Sequence, residues 1–391
     1  MEESGSLTVP AGEAGASAGT LAVGIAGTGF IGRVHARSAL LAGGTLAGVS
    51  ASTPKRAADA AGEMGAERAF ASAEELVAAP DIDVVHVCVP NNLHLPLARA
   101  ALEAGKHVVL EKPVALDSAE AEELVAAAER AGRVATVPFA YRYYPTAREA
   151  RARIRAGEAG DIRVIQGGYL QDWLLRPEDD NWRVDPGLGG RSRAFADIGS
   201  HLCDLIEFVT GDRITALCAR MMVAHAERRR SDGHSFAGGG GEGEARPVET
   251  EDVAALLFET ERDAVGSLLV SQVSAGRKNR LWFEVGGLEA AYAFEQEEPE
   301  SLWVGRPGSA ERIPRDFATL SPDAARYVTL PGGHPQGFHD CFDAFVAETY
   351  DAIRGGDTAD GLPTLADGAR AVRLTDAVLQ SSAERGWVEV P

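Results

Sequence analysis

Three residues carry the strongest chemical signal in this chain. Lys112 stands in Glu111-Lys112-Pro113, and Asp197 and His201 bracket Asp197-Ile198-Gly199-Ser200-His201. A helix beginning near Ile198 would present Asp197 and His201 on one face, because side chains four apart stack there. Asp197 would then hold one imidazole nitrogen and fix its tautomer, leaving the other to accept a hydroxyl proton. An aspartate with a histidine one turn later is also an ordinary helix start, so the pair alone proves little. Lys112 shifts the balance. It follows a strand end, where an ammonium can hydrogen-bond a reacting oxygen and stabilise developing alkoxide charge. A lysine and a carboxylate–imidazole pair are what is needed to move a proton off an alcohol while hydride leaves its carbon.

A hydride needs an acceptor, and Gly27-Thr28-Gly29-Phe30-Ile31-Gly32 provides the place for one. The run follows an apolar strand and opens a helix, the context that gives a GxGxxG meaning. Gly27 permits the tight turn, Gly29 the close approach of a pyrophosphate, and Gly32 the packing of helix on strand. The helix start, with Phe30 and Ile31, adds amide donors and positive potential. The acid expected about 20 residues on, to hold the adenosine ribose, is missing. Positions 50–56 read Ser-Ala-Ser-Thr-Pro-Lys-Arg. Ser52, Thr53 and Arg56, with Lys55, would suit a 2′-phosphate and favour NADP. If the cations only decorate an exposed helical turn, NAD is equally acceptable, and the residues leave the two open.

These motifs need elements to position them. Apolar runs at 21–26, 45–51, 83–89, 107–110 and 134–137 alternate with helical segments at 30–41, from 54, 95–104 and 118–131. Strands regularly separated by helices imply a doubly wound parallel sheet over 21–144, a Rossmann domain. After 144 the pattern changes. Helix 146–156 and a strand at 162–170 precede strands at 216–223, 253–258, 264–273, 281–285 and 290–294, with Gly286-Gly287 expected as a hairpin turn. Helices are expected at 337–353 and 365–382. The fold class is therefore α/β: a Rossmann unit, then an α+β domain over 145–391 with a large, mainly antiparallel open sheet. Residues 226–249 read as a mobile, glycine-rich hairpin tip whose Arg228-Arg229-Arg230 is solvated.

Composition bounds the rest. The chain has 391 residues, 45% hydrophobic and 25% charged, enough for two packed domains. A formal charge of −20 argues against nucleic-acid or anionic-membrane partners. Residues 1–20 read as a disordered tail with neither signal peptide nor anchor, and Cys88, Cys203, Cys218 and Cys341 show no CxxC spacing. A cytoplasmic protein with reduced thiols is expected. His334, His339 and Cys341 lack a fourth ligand, so no metal site is expected. Gly233-His234-Ser235-Phe236-Ala237 falls one glycine short of a nucleophile elbow, and no Walker loop occurs.

With AGTGFIG at 26–32, VPNNLH at 89–94, EKP at 111–113, NWRVDPGLGG at 181–190 and DIGSH at 197–201, the chain resembles the glucose–fructose oxidoreductase / inositol dehydrogenase (Gfo/Idh/MocA) family. The likeness spans nearly everything after the tail. It implies hydride transfer between NAD or NADP and a secondary hydroxyl or ketone of a sugar, cyclitol or sugar derivative. It also implies Lys112, Asp197 and His201 as catalytic residues, and a homo-oligomer, dimer or tetramer, built through the C-terminal sheet. Lys112–Pro113 is then a candidate cis peptide bond. Pro90, Asn91, His94, Glu111 and Lys112 are expected to border the cofactor. Tyr141, Arg142, Trp173, Trp182 and Arg183 are expected, with the catalytic trio, to line a polyol site. Arg277, Lys278 and His334 are weaker candidates. Two other readings stay open: an NAD-dependent redox glycosidase and a non-catalytic dinucleotide-binding sensor.

Overall fold

The computed structural model describes residues 19–230 and 243–391. Most of the 1–20 tail, the centre of the 226–249 insertion and the Gly233–Ala237 motif lie outside them.

The first unit alternates strand and helix. β1 (Ala22–Ala26) leads to α1 (Phe30–Leu41), β2 (Thr45–Ser50) to α2 (Pro54–Met64), and a short β3 (Ala69–Phe70) to α3 (Ala73–Ala78). β4 (Val84–Val87), α4 (His94–Glu103), β5 (His107–Leu110), α5 (Ser118–Ala131) and β6 (Ala135–Thr136) complete it. The six strands pair in parallel in the order β3-β2-β1-β4-β5-β6. β1, β4 and β5 are buried on both faces and mostly apolar, as a sheet covered by helices requires, with His86 of β4 the polar exception among their buried residues. Local chemistry sets the helix ends. Thr53 caps α2 by accepting from the Arg56 amide, Pro54 takes the first turn, and Asp117 caps α5.

The second unit holds α6 (Pro145–Arg155), β7 (Ile162–Leu170), a short α7 (Pro186–Gly189) and α8 (Ser200–Thr210), followed by β8 (Ile214–Met222). A ribbon of β9 (Glu227–Arg229) and β10 (Ala245–Pro247) precedes β11 (Val253–Thr260), β12 (Val265–Ser271), β13 (Arg280–Gly287), β14 (Ala291–Glu295), β15 (Ser301–Arg306) and β16 (Ser309–Pro314). α9 (Pro322–Ala325), α10 (Phe338–Ile353), α11 (Leu365–Glu384) and β17 (Trp387–Glu389) end the chain. Nine strands form one sheet in the order β16-β15-β14-β13-β7-β12-β11-β8-β17, antiparallel except for the β7–β12 pair.

Several local expectations are corrected. Gly286 and Gly287 lie inside β13, and the turn falls at residues 288–290, because Gly287 still pairs with Ile162 across the ladder. β15, β16 and β17 were not legible. Arg228 is buried rather than solvated. Its guanidinium donates to the carbonyls of Arg176, Asp179 and Leu174 and to Asp252, so the root of the hairpin is pinned to the loop beneath it. Arg229 and Arg230 are exposed, as expected.

α10 and α11 return to the first sheet. Asp343 on α10 accepts from Arg37 and Ser38 of α1, and Asp376 on α11 accepts from the amide and hydroxyl of Ser118. The Val137 amide donates to the Pro363 carbonyl, which extends the β6 edge.

Candidate active site

The glycine turn after β1 has the shape its sequence implies. Gly27 sits at φ 102°, a left-handed conformation, and a Cβ there would lie 2.2 Å from the Cys88 carbonyl oxygen. A Cβ on Gly32 would lie 1.9 Å from the Gly27 oxygen, so helix and turn pack with no room for a side chain. Gly29 is the reverse: nothing lies within 4 Å of its Cβ position, and no side chain caps α1. That open, uncapped helix start, with Phe30 exposed and Ile31 half-buried above it, fits a pyrophosphate. Beside it the Gly27 amide donates to the Ser50 carbonyl, which brings the 50–56 segment to the same edge. There Arg56 donates to Ser52 at 3.1 Å, while Lys55 turns away to Asp59. This edge, with the open helix start beside it, fits a nicotinamide dinucleotide.

Lys112 follows β5 at the same edge, and the Lys112–Pro113 bond is cis. Its ammonium donates to the Asp197 carboxylate Oδ1 and to the Asp197 carbonyl, both at 2.8 Å. Asp197 lies in a π-helical segment, Phe195–Gly199, that runs directly into α8. Such wide turns are uncommon and cluster at functional sites. The Glu251 carboxylate holds the entry to this segment, accepting from the Ser192 hydroxyl and the amides of Arg193 and Phe195.

The role expected of Asp197 is corrected. Its carboxylate does not hold His201. Oδ1 is taken by Lys112, with the Arg183 guanidinium 3.4 Å away, and Oδ2 accepts from Gln272 at 2.9 Å. His201 Nδ1 is buried with no hydrogen-bond partner, and the ring stands edge-on between Tyr141 and Phe139 at 5.0 and 5.6 Å. Burial and the neighbouring Lys112 cation push the His201 imidazole down to about 3, against the opposing pull of Glu111 and Asp197. It is therefore neutral, the form a general base needs. Burial pushes Asp197 up, but the cations of Lys112 and Arg183 overcome it and hold the carboxyl far below its ordinary range. An ionised carboxylate thus keeps an ammonium in place beside a neutral imidazole.

Other expected residues divide. Tyr141 packs against His201, and its hydroxyl joins a ring of hydrogen bonds with Tyr169 and Asn279. Trp173 is buried and donates to Gln171, which in turn donates to Asn279. Arg183 lies over the Trp182 ring at 4.4 Å and reaches Asp197. Tyr141 and Arg183 thus reach His201 and Asp197, and Trp173 connects to Tyr141 through Gln171 and Asn279. Arg142 is turned elsewhere. It is buried in bonds to Asp204, Asp367 and the Gly361 carbonyl, and serves the packing of α6, α8 and α11.

The loop after β4 also turns inward. Asn91 donates to the Gly189 carbonyl, and both His94 nitrogens face carbonyls, of Pro113 at 2.7 Å and Val89 at 2.9 Å. Both residues brace the loop at Pro90 and the Glu111-Lys112-Pro113 turn. Glu111 points inward as well. One oxygen meets His35 at 3.1 Å and the other accepts from the Lys112 amide, while His35 continues through His86 to Tyr350. Lys278 is exposed and pairs with Asp172, Arg277 lies near Glu297, and His334 is exposed in the loop before α10. Among the described residues there is no cluster of three or more acidic, histidine or cysteine side chains placed to hold a metal. No described helix is long and apolar enough to cross a membrane.

Gln272, Glu251 and Arg193 escaped the sequence reading. Gln272 left one trace: it continues the alternation of Gly266, Leu268 and Val270, so it falls on the buried face of an apolar strand.

The fold and site define an NAD-binding oxidoreductase. Residues 21–139 match the model of the oxidoreductase family with an NAD-binding Rossmann fold, and residues 147–293 match the GFO/IDH/MocA C-terminal domain. The chain belongs to the Gfo/Idh/MocA family. A levoglucosan dehydrogenase of Pseudarthrobacter phenanthrenivorans is 30% identical over 95% of this chain and 98% of its own. The structure of a levoglucosan dehydrogenase in complex with NADH and L-sorbose superposes with a TM-score of 0.87 at 29% identity, covering 95% of this chain and 99% of that one. An inositol dehydrogenase homologue of Azotobacter vinelandii, complexed with NAD+, gives 0.82 at 29% identity, over 95% and 97% of the two chains.

Proposed function

We propose that this protein is an NAD(P)-dependent dehydrogenase acting on a secondary hydroxyl, or in reverse a ketone, of a sugar, cyclitol or sugar derivative. The observation that carries the reading is the state of Lys112. Two of its three N–H groups are bound to Asp197, which leaves one for a substrate oxygen beside the neutral His201. In oxidation His201 accepts the hydroxyl proton, and Lys112 stabilises the charge that develops on the oxygen. Asp197 positions Lys112 through its carboxylate and its carbonyl. The nicotinamide, when bound, supplies the acceptor for the hydride leaving the same carbon. Trp173, Trp182 and Tyr141 give the site the flat apolar faces on which a polyol ring packs, with Arg183 as a polar contact. The named relatives, which include sugar dehydrogenases, support this substrate class.

Ser52, Thr53 and Arg56 are proposed to hold the adenosine end, and the lack of a carboxylate beside them supports use of NADP. The outward face of the second sheet exposes Val164, Leu257, Val265 and Leu269, which supports assembly of a homo-oligomer through that sheet. The test is formation of reduced nicotinamide, followed by absorbance, with NAD+ and NADP+ separately against inositols, aldoses, anhydrosugars and aminosugars. Turnover lost in Lys112→Ala supports the reading. Silence across the panel with the cofactor still bound overturns it in favour of a sensor. Cleavage of a glycoside with no net cofactor change points to a redox glycosidase.

A further inference from the structure

We propose that Gln272 is a positioning residue of the reaction: it holds the Asp197 carboxylate in the rotation that aims Lys112 at the substrate. The inference rests on the reading of Lys112 and Asp197 given above. Gln272 is fully buried just beyond β12, with its amide between two charged groups. Its nitrogen donates to Asp197 Oδ2 at 2.9 Å, and its oxygen accepts from Arg193 Nη1 at 3.3 Å. A guanidinium has only donors and an ionised carboxylate only acceptors, so the amide has one permitted orientation. Arg193 is itself fixed, since its guanidinium pairs with Asp252, which also accepts from Arg228. The line Arg193–Gln272–Asp197–Lys112 therefore runs from the buried root of the second sheet to the reacting edge of the first.

The titratable groups that face Asp197 come from three elements: the cations Lys112 after β5 and Arg183 from the segment before α7, and the neutral imidazole of His201 from α8. Lys112 and Arg183 both draw on Oδ1, while Oδ2 has Gln272 as its neutral donor. Without that donor, Oδ2 would be a buried acceptor lacking its partner and the carboxylate would turn to share both oxygens with Lys112 and Arg183. The ammonium would then lose its aim. The cofactor cleft, which Gln272 does not reach, would be unaffected.

Two substitutions test this in the full-length protein, with Lys112→Ala alongside. Gln272→Met keeps the length of the side chain and removes both polar atoms. It should lower kcat about 10- to 100-fold while the Kd of NAD(P)H, read from its fluorescence, stays within about 2-fold, a size consistent with loss of one buried hydrogen bond to a charged group. Gln272→Glu is isosteric but places a second carboxyl against Asp197. Two carboxylates that close share a proton, so activity should survive at low pH and fall as pH rises through the pair's titration, a limb absent from the native profile. Should Gln272→Met not fold, Gln272→Glu decides alone through its pH profile. Native kcat in Gln272→Met, or a native profile in Gln272→Glu, overturns the proposal. If Lys112→Ala also retains full activity, the reading of the site falls with it; if Lys112→Ala is inactive, only the role of Gln272 falls.

Discussion

Two buried ion pairs, one in the segment that leads into α8 and one on α8 itself, differ in what is left over. Arg142 and Asp204 form a two-pronged pair at 2.8 and 2.5 Å, and the remaining Arg142 donors go to Asp367 and the Gly361 carbonyl. Every charge is answered inside the protein, and burial, only partly offset by Arg142, pushes Asp204 up to about 7. Lys112 and Asp197 meet at 2.8 Å in a comparably dry setting, yet the lysine keeps an N–H without a protein acceptor and sits beside a histidine whose Nδ1 has no partner. A buried salt bridge is weak evidence of function. An incompletely satisfied one at the edge of a sheet, beside an open helix start, is much stronger. That difference separates Arg142, which the sequence placed in the cleft, from Lys112.

The sharpest way to break the comparison is to remove each cation. Lys112→Met should lower kcat/KM by about 10³-fold or more, measured by nicotinamide absorbance, because it deletes the donor to the developing alkoxide. Arg142→Met should leave kcat per folded molecule close to native. Its effect should appear in urea unfolding, as a loss of about 3–5 kcal/mol for a broken buried pair. His201→Asn removes the base and should reduce kcat about 10²- to 10⁴-fold with cofactor affinity retained.

His201 also makes a pH prediction. The folded value, near 3, lies below the ordinary one, so on acidification the unfolded chain takes up this proton first. Stability should therefore be full above about pH 6.5 and decline as pH falls toward 3, at about 1.4 kcal/mol per pH unit for this group. Burial holds His86 low in the same direction. Urea midpoints against pH should be flatter for His201→Phe than for the native protein. The smallest effect is at the adenosine end, where Arg56→Ala should raise KM for NADP+ about 10-fold and leave that for NAD+ unchanged.

The parts of the site that were legible in the sequence are those where backbone shape dictates residue type. Gly27 and Gly32 occupy positions a side chain cannot enter, and Lys112 and His201 stand in short motifs on the correct elements. What escaped depends on contacts between distant segments. Asp197 and His201 have helical spacing, but spacing says nothing of a competing ammonium 85 residues earlier in the chain, and that ammonium wins the carboxylate. Asn91, His94 and Glu111 were placed in the right loops, but their side chains turn inward to brace those loops. Arg228 read as one of three solvated arginines because its acceptors, three carbonyls and Asp252, belong to other segments. In the second sheet, β11 and β12 alternate apolar and polar residues clearly, while β16 is exposed along most of its length and gave no pattern to find.

The return of α10 and α11 to the first sheet has a bearing on synthesis. The dinucleotide-binding half leaves the ribosome before Asp343, Tyr350 and Asp376, which tie down α1, His86 and Ser118, have been made. Nascent chains truncated before α10 should therefore be more protease-sensitive over α1 and α5 than the finished protein. The half that emerges first reaches its final stability only after α10 and α11 have been made.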